Sequence, residues 1–167
     1  LCRPLLCLEK LDNMTLAGIA AREIEKFRPD AVFVDAGRGE GVIDRLRQLG
    51  HRVLEVNFGS RATDAGRYSD KRSEMWDRTR EWLEAGGSIP NDAALKSDLT
   101  APSYSFDAAG RMELEKKERV KARGLRSPDT ADALALTFAF PVTPHTDGGK
   151  TAETENYSPF QWRKGRR

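Results

Sequence analysis

The stretch that most restricts the fold is Ala31-Val32-Phe33-Val34, an apolar run that stops at Asp35 and passes into Gly37-Arg38-Gly39-Glu40-Gly41. β-Branched and aromatic residues without polar alternation fit a strand covered on both faces. Val42, Ile43, Leu46 and Leu49 then recur at helical spacing, and Gly50 stands where a left-handed residue closes a helix. Val53 to Phe58 reads as a second strand. Strand, helix and strand at this spacing make a βαβ unit with parallel pairing, so the fold class is α/β.

Around that unit the chain offers mostly helices. Residues 5–11 are apolar enough for an opening strand. Leu16, Ile19, Ala20, Ile24 and Phe27 form one stripe of a helix over Thr15–Phe27, closed by Pro29. Ser60–Ser69 is a polar loop. Asp70–Ala85 is a longer helix with Met75, Trp76, Thr79, Trp82 and Leu83 on its apolar side, stopped by Gly86 and Gly87. Asp92–Leu99 is a short helix. Tyr104-Ser105-Phe106 and Met112-Glu113-Leu114 alternate about Asp107-Ala108-Ala109-Gly110, which predicts a β-hairpin. Ser127-Pro128-Asp129 opens the last helix, with Ser as the cap and Pro at the first helical position, and the helix runs to Phe140. The expected organisation is one domain over 1–140 and a flexible, basic-ended tail over 141–167.

With 167 residues, the chain can bury one core but cannot build two full enzyme domains. No apolar run approaches the length of a bilayer span. Lysine and arginine number 28 against 26 acidic residues, so the net charge of +2 alone implies no nucleic-acid partner. Cys2 and Cys7 form neither a disulfide framework nor a zinc pattern, and reduced thiols are expected. The opening Leu1-Cys2-Arg3-Pro4 has no methionine and no leader pattern, and reads as part of something longer.

Three features could carry chemistry. Asp35 lies at the carboxyl end of a buried strand, where open α/β sheets place ligands. It is a candidate for a metal or phosphate site, or simply the cap of the helix beginning near Gly41. The glycine run is G-x-G-x-G, with neither the dinucleotide fingerprint nor a Gly-Lys-Ser/Thr, so nucleotide binding is disfavoured. Asp129 and Asp132 sit at i and i+3 on one helix face. They either complement the helix dipole or, with Asp132 opening an apolar helix, meet a divalent cation. Residues 111–126 carry seven basic against three acidic side chains, a local +4. Beside carboxylates such a run could hold a phosphodiester backbone rather than only face solvent. The histidines, His51 and His145, sit in a turn and in the tail, so no nucleophilic triad competes.

Taken in order, these segments look like a family. Val34-Asp35-Ala36-Gly37-x-Gly39-x-Gly41 precedes Tyr68-x-x-Lys71-Arg72-x-Glu74-Met75-Trp76. Leu114-Glu115-x-Lys117 precedes Ser127-Pro128-Asp129-x-Ala131-Asp132-Ala133-Leu134. The set resembles the C-terminal nuclease domain of the large terminase subunit of tailed bacteriophages, over roughly residues 5–140. The resemblance implies an RNase H-like mixed sheet flanked by helices, and an endonuclease that cuts concatemeric double-stranded DNA during packaging. It implies Mg2+ or Mn2+ held by acidic residues, of which Asp35, Asp129 and Asp132 match three. The family's first acid, on its opening strand, has no match in Leu1–Met14, so the chain is expected to lack that first strand and to cut poorly alone. The ATPase half is absent as well. Implied partners are that ATPase domain, the small terminase subunit and the portal, in the cytoplasm of a bacterial host.

The expected mechanism places two ions about 4 Å apart across the scissile phosphate. Crowded acids without metal should raise at least one carboxyl pKa. Lys71, Arg72, Lys116, Lys117, Lys121 and Arg123 are the expected DNA contacts. The rival reading is a catalytically incomplete module that grips DNA or docks on the portal.

Overall fold

In the computed structural model, which describes residues 1–144, α1 spans Asn13–Phe27, β1 Phe33–Asp35, α2 Ala36–Gln48, β2 Leu54–Val56 and α3 Lys71–Glu84. Then come α4 (Ala93–Thr100), β3 (Tyr104–Phe106), β4 (Met112–Leu114), α5 (Lys117–Ala122) and α6 (Asp129–Leu136). The architecture is mixed α/β. β1 and β2 pair in parallel, Phe33 opposite Leu54 and Asp35 opposite Val56, as the βαβ pattern requires. β3 and β4 form the expected antiparallel hairpin, Tyr104 opposite Leu114. Among the described residues these are two separate two-stranded sheets rather than one mixed sheet. A single bridge, Tyr68 to Met112, ties the hairpin to the loop before α3. No strand forms over residues 5–11: Leu6, Leu8 and Leu11 stay exposed, and no described residue pairs with their backbone in a ladder. The expected tail lies outside the described residues beyond residue 144.

β1 sits between two apolar clusters because successive side chains of a strand point to opposite faces. Phe33 packs against the larger cluster of Val56, Met75, Trp76, Leu114, Ala131 and Ala135. Val32 and Val34 pack against the other, where Ala17 and Ala21 of α1 meet Val42, Ile43 and Leu46 of α2. Small residues on both helices let α1 and α2 approach. A Cβ at Gly41 would stand 2.5 Å from Asn13 Nδ2, and one at Gly39 would stand 3.0 Å from Val34 Cγ1. The glycine run is therefore helical and close-packed. α2 starts at Ala36, directly after its cap Asp35, and not near Gly41. Gly50 has φ +87°, the left-handed closure expected of it.

Two other boundaries differ from expectation. α6 ends at Leu136, after which amides bond back three residues (Phe138 to Ala135, Ala139 to Leu136), a tightening that precedes Pro141. Its cap is Pro128, with Ser127 one residue outside. α5 lies inside the basic run and is hidden from pattern reading, because Val120 is its one buried anchor.

Helix α3 departs most from a simple amphipathic reading. Lys71, Arg72, Glu74 and Asp77 are all buried along with Met75 and Trp76. Each charge is matched within the chain. Glu74, fully buried, accepts from Lys71 Nζ at 2.9 Å, Arg78 Nη2 at 2.5 Å and the Thr63 amide at 2.8 Å. Asp77 accepts from Tyr68 Oη at 2.7 Å and from Arg80 Nε at 2.8 Å. Burial alone would push the Glu74 carboxyl up, but Lys71, the Thr63 amide and Arg78 outweigh it and hold it below its ordinary 4.5. The stability this adds is present above pH 4.5 and is lost as acid titrates the folded carboxylate. Glu74→Ala should lower the unfolding free energy by about 3–5 kcal/mol, since it strands Lys71 in the interior. Urea denaturation at pH 7 measures this, and the deficit should shrink as the pH falls below the ordinary glutamate range.

Candidate functional site

The acidic pair of α6 is built from opposite degrees of exposure. Asp129, the first residue of the helix, has a side chain 73% exposed, whereas Asp132, one turn on, has one only 6% exposed. Lys117, the first residue of α5, reaches both. Its Nζ lies 3.2 Å from Asp129 Oδ1 and 2.6 Å from Asp132 Oδ2. Ser127 Oγ adds a 2.8 Å bond to Asp129 Oδ1.

Asp132 is held from behind by α3. Arg72 Nε donates to Oδ1 at 3.0 Å and Trp76 Nε1 donates to the same oxygen at 2.8 Å. Arg72 continues through Nη1 to the Glu115 carbonyl at 2.9 Å. The other carboxylate oxygen, Oδ2, is buried and meets the Lys117 ammonium in an ion pair at 2.6 Å. Loss of water around Lys117 lowers its basicity, yet Asp132 and Asp129 outweigh this and hold it above the ordinary lysine range. The expected acid repulsion does not arise at Asp129. Partial desolvation pushes its carboxyl up, but the Ser127 hydroxyl and Lys117 carry it below the ordinary value.

Asp35 is exposed at the end of β1 and accepts from the Gly37 amide at 3.0 Å, capping α2. Among the described residues no three acidic, histidine or cysteine side chains gather to hold a metal. Lys117 and Arg72 neutralise the α6 pair, and Asp35 commits one oxygen to a helix amide. The implied Mg2+ or Mn2+ can still be tested against the residues present. The buried Oδ2 of Asp132 faces a cation already, so Asp129 and Asp132 fit one cation position at which Lys117 stands.

The expected DNA contacts divide. Lys71 is interior, with Nζ on Thr63 Oγ1 at 2.8 Å and on Glu74, over the Phe140 ring. Arg72 is committed to Asp132. Neither is free for a phosphate backbone, because burial selects for pairing inside the chain. Arg123 is exposed but bonded to Glu115 at 2.6 Å. Lys116 and Lys121 are exposed and, among the described residues, stand in no ion pair. The residue that pattern reading misses is Trp76, which reads there only as an apolar anchor. Its spacing of four from Arg72 on one helix face is the available signal.

No family model and no curated protein matches the chain. Among solved structures it is similar to the nuclease domain of the large terminase subunit gp2 of bacterial virus Sf6, at 18% identity and a TM-score of 0.60, covering 79% of this chain and 74% of that one. A point variant of that domain with manganese and β-thujaplicinol aligns at 18% identity and TM-score 0.61, over 80% of this chain and 75% of the other. A variant with calcium aligns at 20% identity and TM-score 0.57, over 78% and 74%. The chain thus has the fold of a phage terminase nuclease domain, in agreement with the resemblance of its motifs.

If Lys117 and a divalent ion compete for one position, Lys117→Met should tighten Mn2+ binding by about tenfold or more, since a like charge within about 4 Å is removed. Calorimetric titration checks this; unchanged affinity would place the ion elsewhere.

Proposed function

We propose that this chain is the nuclease domain of a phage DNA-packaging terminase, an RNase H-like endonuclease that uses Mg2+ or Mn2+ to hydrolyse double-stranded DNA. The observation that carries the reading is the α6 pair: on a terminase-nuclease fold, Asp132 directs a buried oxygen at a cation, Lys117, shared with Asp129. Asp129 and Asp132 would hold the ion, and Asp35, at the carboxyl end of β1, would complete the acidic set. A divalent ion so bound supplies polarisation of the phosphodiester and a more acidic water. Carboxylates suit these hard ions. Lys117 neutralises the pair, and such an ion would take its place; its side chain, 35% exposed, already touches solvent.

Lys116 and Lys121, with Arg123, hold the DNA backbone without reading bases. The ATPase domain, the small subunit and the portal are the partners of such a domain, and the cytoplasm of a bacterial host is its place. Among the described residues no helix is long and apolar enough to cross a membrane. Cutting of concatemers belongs to the assembled motor.

The second reading, a catalytically incomplete module that grips DNA or docks on the portal, is favoured by the absence of a three-ligand group among the described residues. Nicking of supercoiled plasmid separates the two. Cleavage by a version of the chain extended upstream, with Mn2+ or Mg2+, stopped by EDTA and abolished by Asp129→Asn, is the expected result, while residues 1–167 alone should cut poorly. Binding without nicking by the extended version at any metal concentration would establish the module instead. In either case Lys116→Ala with Lys121→Ala should reduce the slope of log affinity against log salt by about 2, one for each phosphate that is no longer neutralised.

A further inference from the structure

Two donors of unlike chemistry converge on the same oxygen of Asp132. The Trp76 indole N–H and the Arg72 Nε–H both come from α3, four residues apart, and both take Oδ1. Each carboxylate oxygen has two lone pairs to satisfy. With both α3 donors on Oδ1, the plane of the carboxylate is fixed and Oδ2, also buried, is left to the Lys117 ammonium at 2.6 Å.

Neither donor is free to do otherwise. Trp76 is packed in the larger apolar cluster, only 7% exposed, with its ring fixed by its neighbours. Arg72 lies over that ring, its guanidinium carbon 5.5 Å from the ring centroid, and is tied at its other end to the Glu115 carbonyl. That carbonyl lies two residues before Lys117, so one guanidinium registers the acid on α6 and the start of the segment that carries its counter-cation.

We infer that Arg72 and Trp76 are positioning residues: they turn Asp132 so that Oδ2 points at the cation position, whether lysine or a divalent ion stands there. Outer partners that orient a metal-binding carboxylate commonly change metal affinity by about 10–100-fold when removed. The divalent half of the inference rests on the nuclease reading; the lysine half does not.

The test uses Trp76→Phe in the 167-residue chain, which removes the N–H and keeps an aromatic ring. Should that variant fail to fold, Arg72→Lys, which keeps the charge and loses the forked geometry, serves in its place. In EDTA, urea unfolding of Trp76→Phe, Lys117→Met and the double variant forms a cycle. Positioning predicts that the double variant's unfolding constant departs by about threefold or more from the product of the single effects, because the lysine's approach depends on the orientation the indole imposes. Effects that multiply independently would overturn the inference, whatever metal does. In a Mn2+ titration, Trp76→Phe should bind at least about tenfold more weakly than the parent. Equal binding by both would overturn the divalent half. A parent that takes no Mn2+, with a coupled cycle, would sink the nuclease reading and leave the positioning of Asp132 toward Lys117 standing.

Discussion

Asp132 is a carboxylate with 6% of its side chain in contact with solvent, and three elements converge on it to make that tolerable. An isolated buried charge costs more than a small domain can bear, so it persists only where cations and donors surround it. Arg72 and Trp76 come from α3, 60 and 56 residues away in sequence, and Lys117 comes from the start of α5. None of the three can be supplied before the long-range packing is in place. The Asp132 contacts therefore require α6, α3 and the end of the hairpin to be docked together, and they fix the relative register of those elements. Ala131 and Ala135 beside it are small and buried, which lets α6 lie close enough to α3 for these bonds to form.

The same solution recurs around the molecule. Asp98 of α4, 1% exposed, is met by Arg126 Nε at 2.6 Å and by the Thr130 amide and hydroxyl, pinning α4 to the start of α6. Glu74 and Asp77 do likewise on α3. A chain with 32% charged residues and modest apolar content cannot leave all its charge outside once its helices pack. Part of the interior is assembled from paired ions. Such pairs add less to stability than apolar packing of equal volume, but removing one partner is costly, so they define which arrangement is allowed more than how stable it is.

This is also where pattern reading loses its hold. The βαβ unit, the hairpin and four helices are legible because each declares itself within a short stretch of chain: the run Ala31–Val34, the glycine at 50, the turn at Asp107–Gly110. Helix α5 is not, since one buried valine gives no periodicity. The strand expected over residues 5–11 does not form, and Leu6, Leu8 and Leu11 stay exposed: apolar content alone does not make a strand. At the site, Asp129 and Asp132 stand out as a pair, but the state of their charge does not. Lys71 and Arg72 look like surface cations because lysine and arginine nearly always are. Only the fold reveals that each stands opposite a buried acid. Asp35 is open between ligand and helix cap in the sequence, and the structure displays the cap.

Capping and pairing leave the three acids in different standing toward a cation. Asp35 keeps one oxygen uncommitted, Asp129 is largely solvated, and Asp132 is desolvated and oriented. A cation that displaces Lys117 gains most from Asp132, because a carboxylate already stripped of water and held in place has no further desolvation or ordering cost to meet. It gains least from Asp129, which must surrender hydration. Displacement also returns a lysine to water, which favours the exchange. Under the nuclease reading the lysine occupies the position a divalent ion would take: it keeps the acids from repelling, and an ion offering them twice the charge would displace it. Binding of that kind couples to stability by mass action, since an ion that prefers the folded acids stabilises the fold in proportion to the logarithm of its concentration. Under that reading, what lysine contributes to folding and what metal would contribute to activity become two occupancies of one electrostatic position, faced by the oxygen that the indole and guanidinium behind Asp132 leave open.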